Sequence, residues 1–252
     1  MNSKKIPIIL IAVAFFISAI CSCYLLFTVS EVRAEFSVSE EIPVDEIKTK
    51  LDTLKGKSVI TFKEEEVYSI VEEYPLLKVE NLTVKTPNLL TLKIVERIPV
   101  YKIDINGEIY LLDEEGFFIK VGQGSYFDRE LIDLKLQGIS VTEEHVLGKK
   151  IVTDKDDIFY NALMMAKEVS LTDCIKQITV NYLSAGEDRN VIFSTYTGVD
   201  ITITKADEQG VEKVVKAFES YDTCTIDYLK SFNRILVVML DSGEIKVTWT
   251  RN

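Results

Sequence analysis

The sequence predicts an α+β protein that begins with one membrane helix, continues into a small β-α-α-β-β domain and ends in a larger mixed α+β domain whose sheet has an open edge. Three observations predict it. Ile6 to Val29 holds no charged side chain. Apolar periodicities after it follow the order strand, helix, helix, strand, strand and stop near Pro99. The remainder reads mostly as short strands and closes on a hairpin turn, Asp241-Ser242-Gly243. The expected divisions are a cytoplasmic tail at 1–5, the membrane helix at 6–29, the first domain at 30–98 and the second at 99–252.

A helical run of roughly 24 residues spans the ~30 Å hydrocarbon core of a bilayer. Lys4 and Lys5 precede it and Glu31, Arg33 and Glu35 follow, so the basic bias keeps the N-terminus cytoplasmic and the C-terminus extracytoplasmic. A cleaved signal peptide and a lipoprotein are the rival readings. The apolar run continues through Tyr24, Leu25, Leu26 and Phe27, which suits an uncleaved anchor. Lipid attachment would use Cys21 or Cys23, behind Ile20 and Ser22 respectively, and neither is followed by a polar tether.

About 220 residues remain, enough for two ordinary domains. The formal net charge of −11 repels phosphate backbones and excludes nucleic acid as an expected partner. Cys174 and Cys224 lie where a disulfide is permitted, though a well-populated apolar core favours two buried thiols.

In the first domain, Val32, Ala34, Phe36 and Val38 alternate as in a strand with one buried face. Pro43 opens a helix carrying Val44, Ile47, Leu51 and Leu54, which Gly56 stops. A second helix over about Lys63 to Tyr74 presents Val67, Ile70, Val71 and Tyr74, and Pro75 ends it. Glu64 to Glu66 suit the positive end of its dipole better than a catalytic carboxylate cluster. Two strands follow, through Leu82 and Val84 and then Leu90, Leu92 and Ile94, around a Thr86-Pro87-Asn88 turn. Glu96, Arg97 and Pro99 form the joint, where the proline's missing N–H bars further pairing.

The string LLTLKIVERIPV from Leu89 to Val100 resembles the end of the POTRA domain of the DivIB/FtsQ cell-division family, where a strand runs into Glu-Arg-x-Pro. Leu54-Lys55-Gly56-Lys57-Ser58, Tyr74-Pro75 and Tyr110-Leu111-Leu112-Asp113 before Gly116 fit the same pattern, in order. Leu131 to Ile139 is similar to the family's Leu-Pro-x-x-x-Gly segment but lacks the proline.

The second domain opens as a meander with Asn106-Gly107 as its strongest hairpin signal and a second turn at Asp113 to Gly116. A helix capped by Thr153 or Asp154 turns Phe159, Leu163 and Ala166 inward. Strands at Ile175 to Tyr182, Asn190 to Thr195 and Val199 to Thr204 precede a helix from Glu208 to Ser220. Strands at Cys224 to Tyr228, Ile235 to Leu240 and Ile245 to Trp249 end the chain.

No catalytic constellation is visible, so the chain is not expected to be an enzyme, and no cofactor or metal is expected. His145 is the single histidine and matches no metal or triad motif. Asp154, Asp156 and Asp157 lack the glycine and distal glutamate of a calcium loop. Asn81-Leu82-Thr83 matches a glycosylation sequon that arises readily by chance.

The resemblance implies a single-pass scaffold of the bacterial division septum. It would link other single-span proteins, resembling FtsL and DivIC/FtsB, by accepting a partner strand on the open edge of its second domain. Strand addition needs only unpaired N–H and C=O groups and pockets for alternate side chains. Candidate partner-binding residues are Tyr228, Arg234, Leu236, Val238, Lys246, Thr248 and Trp249. Thr225 to Tyr228 is similar to the family's late Ile-Asp-Leu-Arg run, after which the docking strand would span about Arg234 to Leu240. Glu244 to Thr250 adds a further strand that takes over the edge or covers it. Trp249 either docks the partner or closes the core. A POTRA-type export or envelope-assembly module, an envelope anchor of the same architecture and an exported wall enzyme are the alternatives.

Overall fold

In the computed structural model the described residues are 13–18, 22, 27–40, 42–85, 88–121, 131–142, 146–169, 174–183 and 189–251. The chain divides into two compact units, Met1–Arg97 and Ile98–Asn252.

The first unit is a three-stranded sheet in the order β1-β3-β2, formed by β1 (Glu31–Ser37), β2 (Leu77–Lys85) and β3 (Leu89–Glu96). Helices α1 (Val44–Asp52) and α2 (Glu65–Glu72) supply Ile47, Leu51, Val67 and Val71 to a core shared with Leu90, Leu92 and Ile94 of the central strand. That alternation on β3 is why one face of the sheet is dry. Lys50 ties the helices together, 2.7 Å from Glu73 and 3.2 Å from Glu46, whose carboxylate also accepts the Tyr74 hydroxyl at 2.8 Å.

The expected fold class is corrected at its start. Among the described residues no helix is long and apolar enough to cross a membrane. Within Ile6–Val29 only 13–18, 22 and 27–29 are described, and the rest of the expected span lies outside the described residues. The end of that stretch belongs to the folded unit. Val29 is 1% exposed in the first core, its N–H donates to the Lys57 carbonyl at 2.8 Å, and its carbonyl accepts the Gly56 N–H at 2.8 Å. Hydropathy alone registers Val29 as membrane-compatible, because a soluble core and a lipid tail select the same side chain.

The second unit carries a nine-stranded sheet in the order β12-β11-β10-β9-β8-β7-β4-β5-β6. Its strands are β4 (Tyr101–Ile105), β5 (Glu108–Leu112), β6 (Phe118–Val121), β7 (Ile132–Gln137), β8 (Ile175–Tyr182), β9 (Arg189–Thr195), β10 (Asp200–Ile203), β11 (Arg234–Met239) and β12 (Ile245–Thr250). Asn106 (φ 56°) and Gly107 (φ 88°) are both left-handed, as a two-residue turn between β4 and β5 demands. The pairs β7–β8 and β10–β11 are parallel. Parallel neighbours need crossovers, and α3 (Asp156–Glu168) and α4 (Gly210–Asp222) provide them. Phe159, Leu163, Val214 and Phe218 from these helices share one core with Ile178, Phe193, Ile201 and Ile235.

Two local expectations change. Cys224 to Tyr228 is not a strand: α5 (Ile226–Ser231) occupies it, started by Thr225, whose hydroxyl accepts the Tyr228 N–H at 3.3 Å. The cap before α3 is Lys155 rather than Thr153 or Asp154, and the Asp156 carboxylate reaches back to the Thr153 N–H at 2.7 Å.

Candidate docking edge

Among the described residues β12 is the last strand of the nine, and only β11 pairs with it. Its hydrogen-bonding parity follows from two contacts. The Leu240 N–H donates to the Glu244 carbonyl at 2.9 Å, so the in-register pairs two residues further in, Val238↔Lys246 and Leu236↔Thr248, are the bonded ones. Independently, the Val237 carbonyl accepts the Thr204 N–H at 3.1 Å, so Val237 faces β10 and leaves Val247 unbonded to β11. The main-chain groups of Ile245, Val247 and Trp249 therefore point away from the sheet. Their side chains turn to the helix-covered face, where Ile245 is buried and Val247 and Trp249 pack against the core.

An aromatic ledge flanks this row. The Trp249 ring meets Tyr228 edge-on at 5.2 Å, and Tyr228 stacks on Phe232 at 4.6 Å. Arg251 lies 4.9 Å from the centre of the Phe232 ring. Trp249 Nε1–H donates to Ser220 Oγ at 3.0 Å, which fixes the indole against the end of α4. Tyr228 remains 40% exposed, so the ledge is an accessible apolar surface as well as a packed one.

The placement of α4 depends on Lys213, whose side chain is fully buried. Its ammonium donates to the carbonyls of Thr204 at 2.9 Å and Lys205 at 3.0 Å, closing the turn that leads from β10 into the helix. Burial holds its pKa below the ordinary lysine value, partly opposed by the charges of Glu208 and Asp207.

The expected docking residues fall on two faces. Arg234, Leu236 and Val238 sit on β11, one strand in from the border, with side chains on the face opposite the helices. They stand in register with Thr250, Thr248 and Lys246. Tyr228 and Trp249 meet on the helix side. Ile245, Val247, Phe232 and Ser220 complete the site and were not singled out by sequence. The signal for Ile245 and Val247 is the Asp241-Ser242-Gly243 turn, which sets the register and thus the parity of everything after it.

At the joint, the Glu96 carboxylate accepts the Ser39 N–H at 2.9 Å and the Arg97 N–H donates to the Leu76 carbonyl at 2.7 Å. Both residues are tied into the first unit, and Pro99 belongs to the second. His145, Cys21 and Cys23 lie outside the described residues. Cys174 and Cys224 are half-buried and not joined in a disulfide. Among the described residues no group of three or more histidine, cysteine or acidic side chains is placed to hold a metal ion.

Fold and site together define a two-unit α+β protein whose larger sheet ends, among the described residues, in a strand paired on one side, beside an aromatic ledge. No family model matches the chain, and no curated protein matches it.

Proposed function

We propose that the protein is a noncatalytic docking scaffold that takes an extended segment of a partner chain onto the border of β12. The observation that carries this reading is the row of outward main-chain groups at Ile245, Val247 and Trp249, beside Tyr228 and Phe232. An incoming strand gains up to six main-chain hydrogen bonds there, and the ledge offers an apolar seat for one of its alternate side chains. The family resemblance at Leu89 to Val100 supports a role at the bacterial division septum, with partners of the FtsL and DivIC/FtsB kind.

Two measurements test the proposal together. A fluorescently tagged chain is expected to concentrate at midcell, and the extracytoplasmic parts of such partners are expected to be retained by the wild-type chain but released when Thr248 and Trp249 become alanine. Uniform distribution of the tag rejects the septal role. Retention by a variant that melts normally rejects this border as the docking place.

A further inference from the structure

We propose that the free edge of β1 in the first unit is a self-association surface, on which a second copy of this chain adds antiparallel about a two-fold axis at Ala34. Among the described residues β1 lies at the border of its sheet and pairs only with β3. The Arg97 N–H donates to the Leu76 carbonyl, so the odd residues of β3 face β2 and its even residues face β1. In the parallel register Val32↔Leu90, Ala34↔Leu92 and Phe36↔Ile94, this commits Glu31, Arg33, Glu35 and Ser37 to bonds with β3. Val32, Ala34 and Phe36 are left with their N–H and C=O groups pointing outward.

Antiparallel pairing about Ala34 places each of these three residues opposite a residue of the same kind of orientation: Ala34 against Ala34, and Val32 against Phe36 in both directions. All three outward residues of each copy are then bonded. On the solvent face the same register sets Arg33 opposite Glu35 and Glu35 opposite Arg33, so both charge pairs are complementary by symmetry. Arg33 and Glu31 are exposed, at 62% and 52% of their side-chain surface, and touch at 2.7 Å, so in the dimer each guanidinium is shared between its own Glu31 and the Glu35 of the second copy, while Glu35 also stands in register with Lys93 of β3.

The neighbouring register is poorer. A dyad at Val32 would call on the Ser30 N–H, which already donates to the Asn88 carbonyl at 2.9 Å. A dyad at Arg33 or Glu35 would oppose identical charges.

Two further features favour this border. β2, the opposite edge, carries a bulge between Val79 and Asn81, a common device for spoiling edge pairing, whereas β1 keeps unbroken register from Glu31 to Ser37. Beside β1, a groove of about 690 Å3 runs against the start of α1, with Ala34, Phe36, Val38, Ile42 and Val44 among its walls. The second copy's Val32, opposite Phe36, enters on that side. The charged residues on the groove are Glu40, Asp45, Glu46 and Lys48, three acidic and one basic, so the charge complementarity comes from Arg33 and Glu35 and not from the groove.

The test is charge exchange in the full-length chain, kept in solution with a non-ionic detergent and followed by sedimentation velocity over a range of concentrations. Arg33→Glu and Glu35→Arg each place like charges opposite one another twice in the dimer, and each is expected to weaken self-association by about tenfold or more. Arg33→Glu combined with Glu35→Arg in one chain restores complementarity and is expected to restore the dimer. An equimolar mixture of the two single variants, differently labelled, is expected to form the mixed dimer that neither forms alone. A chain that stays monomeric at every concentration overturns the proposal, as does a dimer indifferent to both single substitutions or not rescued by the exchange. Both residues belong to the first unit, so retention of partner by β12 is read separately on the same variants.

Discussion

Replacing Val247 with proline separates the border of β12 from the strand's own stability. The Val247 N–H points away from β11, and the inward bonds are carried by Lys246, Thr248 and Thr250. Proline at such a position removes a donor that the fold does not use and sets its ring where an incoming carbonyl would approach. A buried acceptor left without its mate costs ~1–3 kcal/mol, so partner affinity should fall about 30-fold at a loss near 2 kcal/mol. Thr248→Pro is the contrasting variant. It deletes a bond to Leu236 in the β11–β12 ladder and should lower folding stability by about 3 kcal/mol. Calorimetric titration with the strand-bearing segment of a partner of the proposed kind reads the first effect, and thermal melting reads the second. Wild-type affinity in the Val247→Pro chain would refute strand addition here. Equal melting losses in the two proline variants would refute the deduced parity.

Further outcomes follow from other parts of the molecule. Trp249 is the sole tryptophan, so titrating a partner that docks beside it should shift the intrinsic emission; an unchanged spectrum at saturation places docking elsewhere. Gly138 (φ 69°) follows β7, and a Cβ there would stand 2.2 Å from the Tyr182 carbonyl oxygen, so Gly138→Ala should destabilise by about 3 kcal/mol or more in chemical denaturation. Trp249→Phe keeps the ring contact but drops the bond to Ser220, and should cost ~1 kcal/mol in the same assay. Burial lowers the Lys213 pKa in the folded state, so between that value and the unfolded lysine value near ~10.4 the unfolded chain binds more protons. Wild-type stability should therefore rise with pH relative to Lys213→Met across that window, and a flat difference would contradict a desolvated ammonium.

Much of the secondary structure could be read because periodicity and turn chemistry agree. Val32, Ala34 and Phe36 alternate on β1, Ile47 and Leu51 recur on α1, and Asn106-Gly107 closes the β4–β5 hairpin in the structure as its composition suggests. Cys224 to Tyr228 misled, because Ile226 and Tyr228 alternate as they would in a strand. The deciding residue is Thr225, whose hydroxyl satisfies an early N–H of α5 and starts a helix there. Lys213 was invisible for a different reason. On a helical wheel it adjoins Gly210 and Ala217, and a lysine in that place ordinarily reaches solvent; the turn carbonyls of Thr204 and Lys205 make its burial tolerable. The site itself was half legible. Residue identity marked Tyr228 and Trp249, but which main-chain groups face outward depends on register, a property of two strands at once.

Unpaired strands usually invite indiscriminate pairing, and the charge on each border restricts what can add to it. β1 presents Arg33 and Glu35 on either side of Ala34, a pair complementary to its own reverse about that residue, which is the register of the proposed dimer. β12 presents Lys246 with Thr248 and Thr250 on the equivalent face and holds no acidic residue between Ile245 and Thr250. Reversed upon itself about Val247, it sets Lys246 against Thr248 and gains no charge pair. A foreign strand bearing an acidic residue opposite Lys246 and an apolar one toward Tyr228 does better on both faces. The proposed self-association and the proposed partner docking thus share one mechanism, main-chain addition, and would be kept apart by a handful of side chains whose charges differ between the two edges.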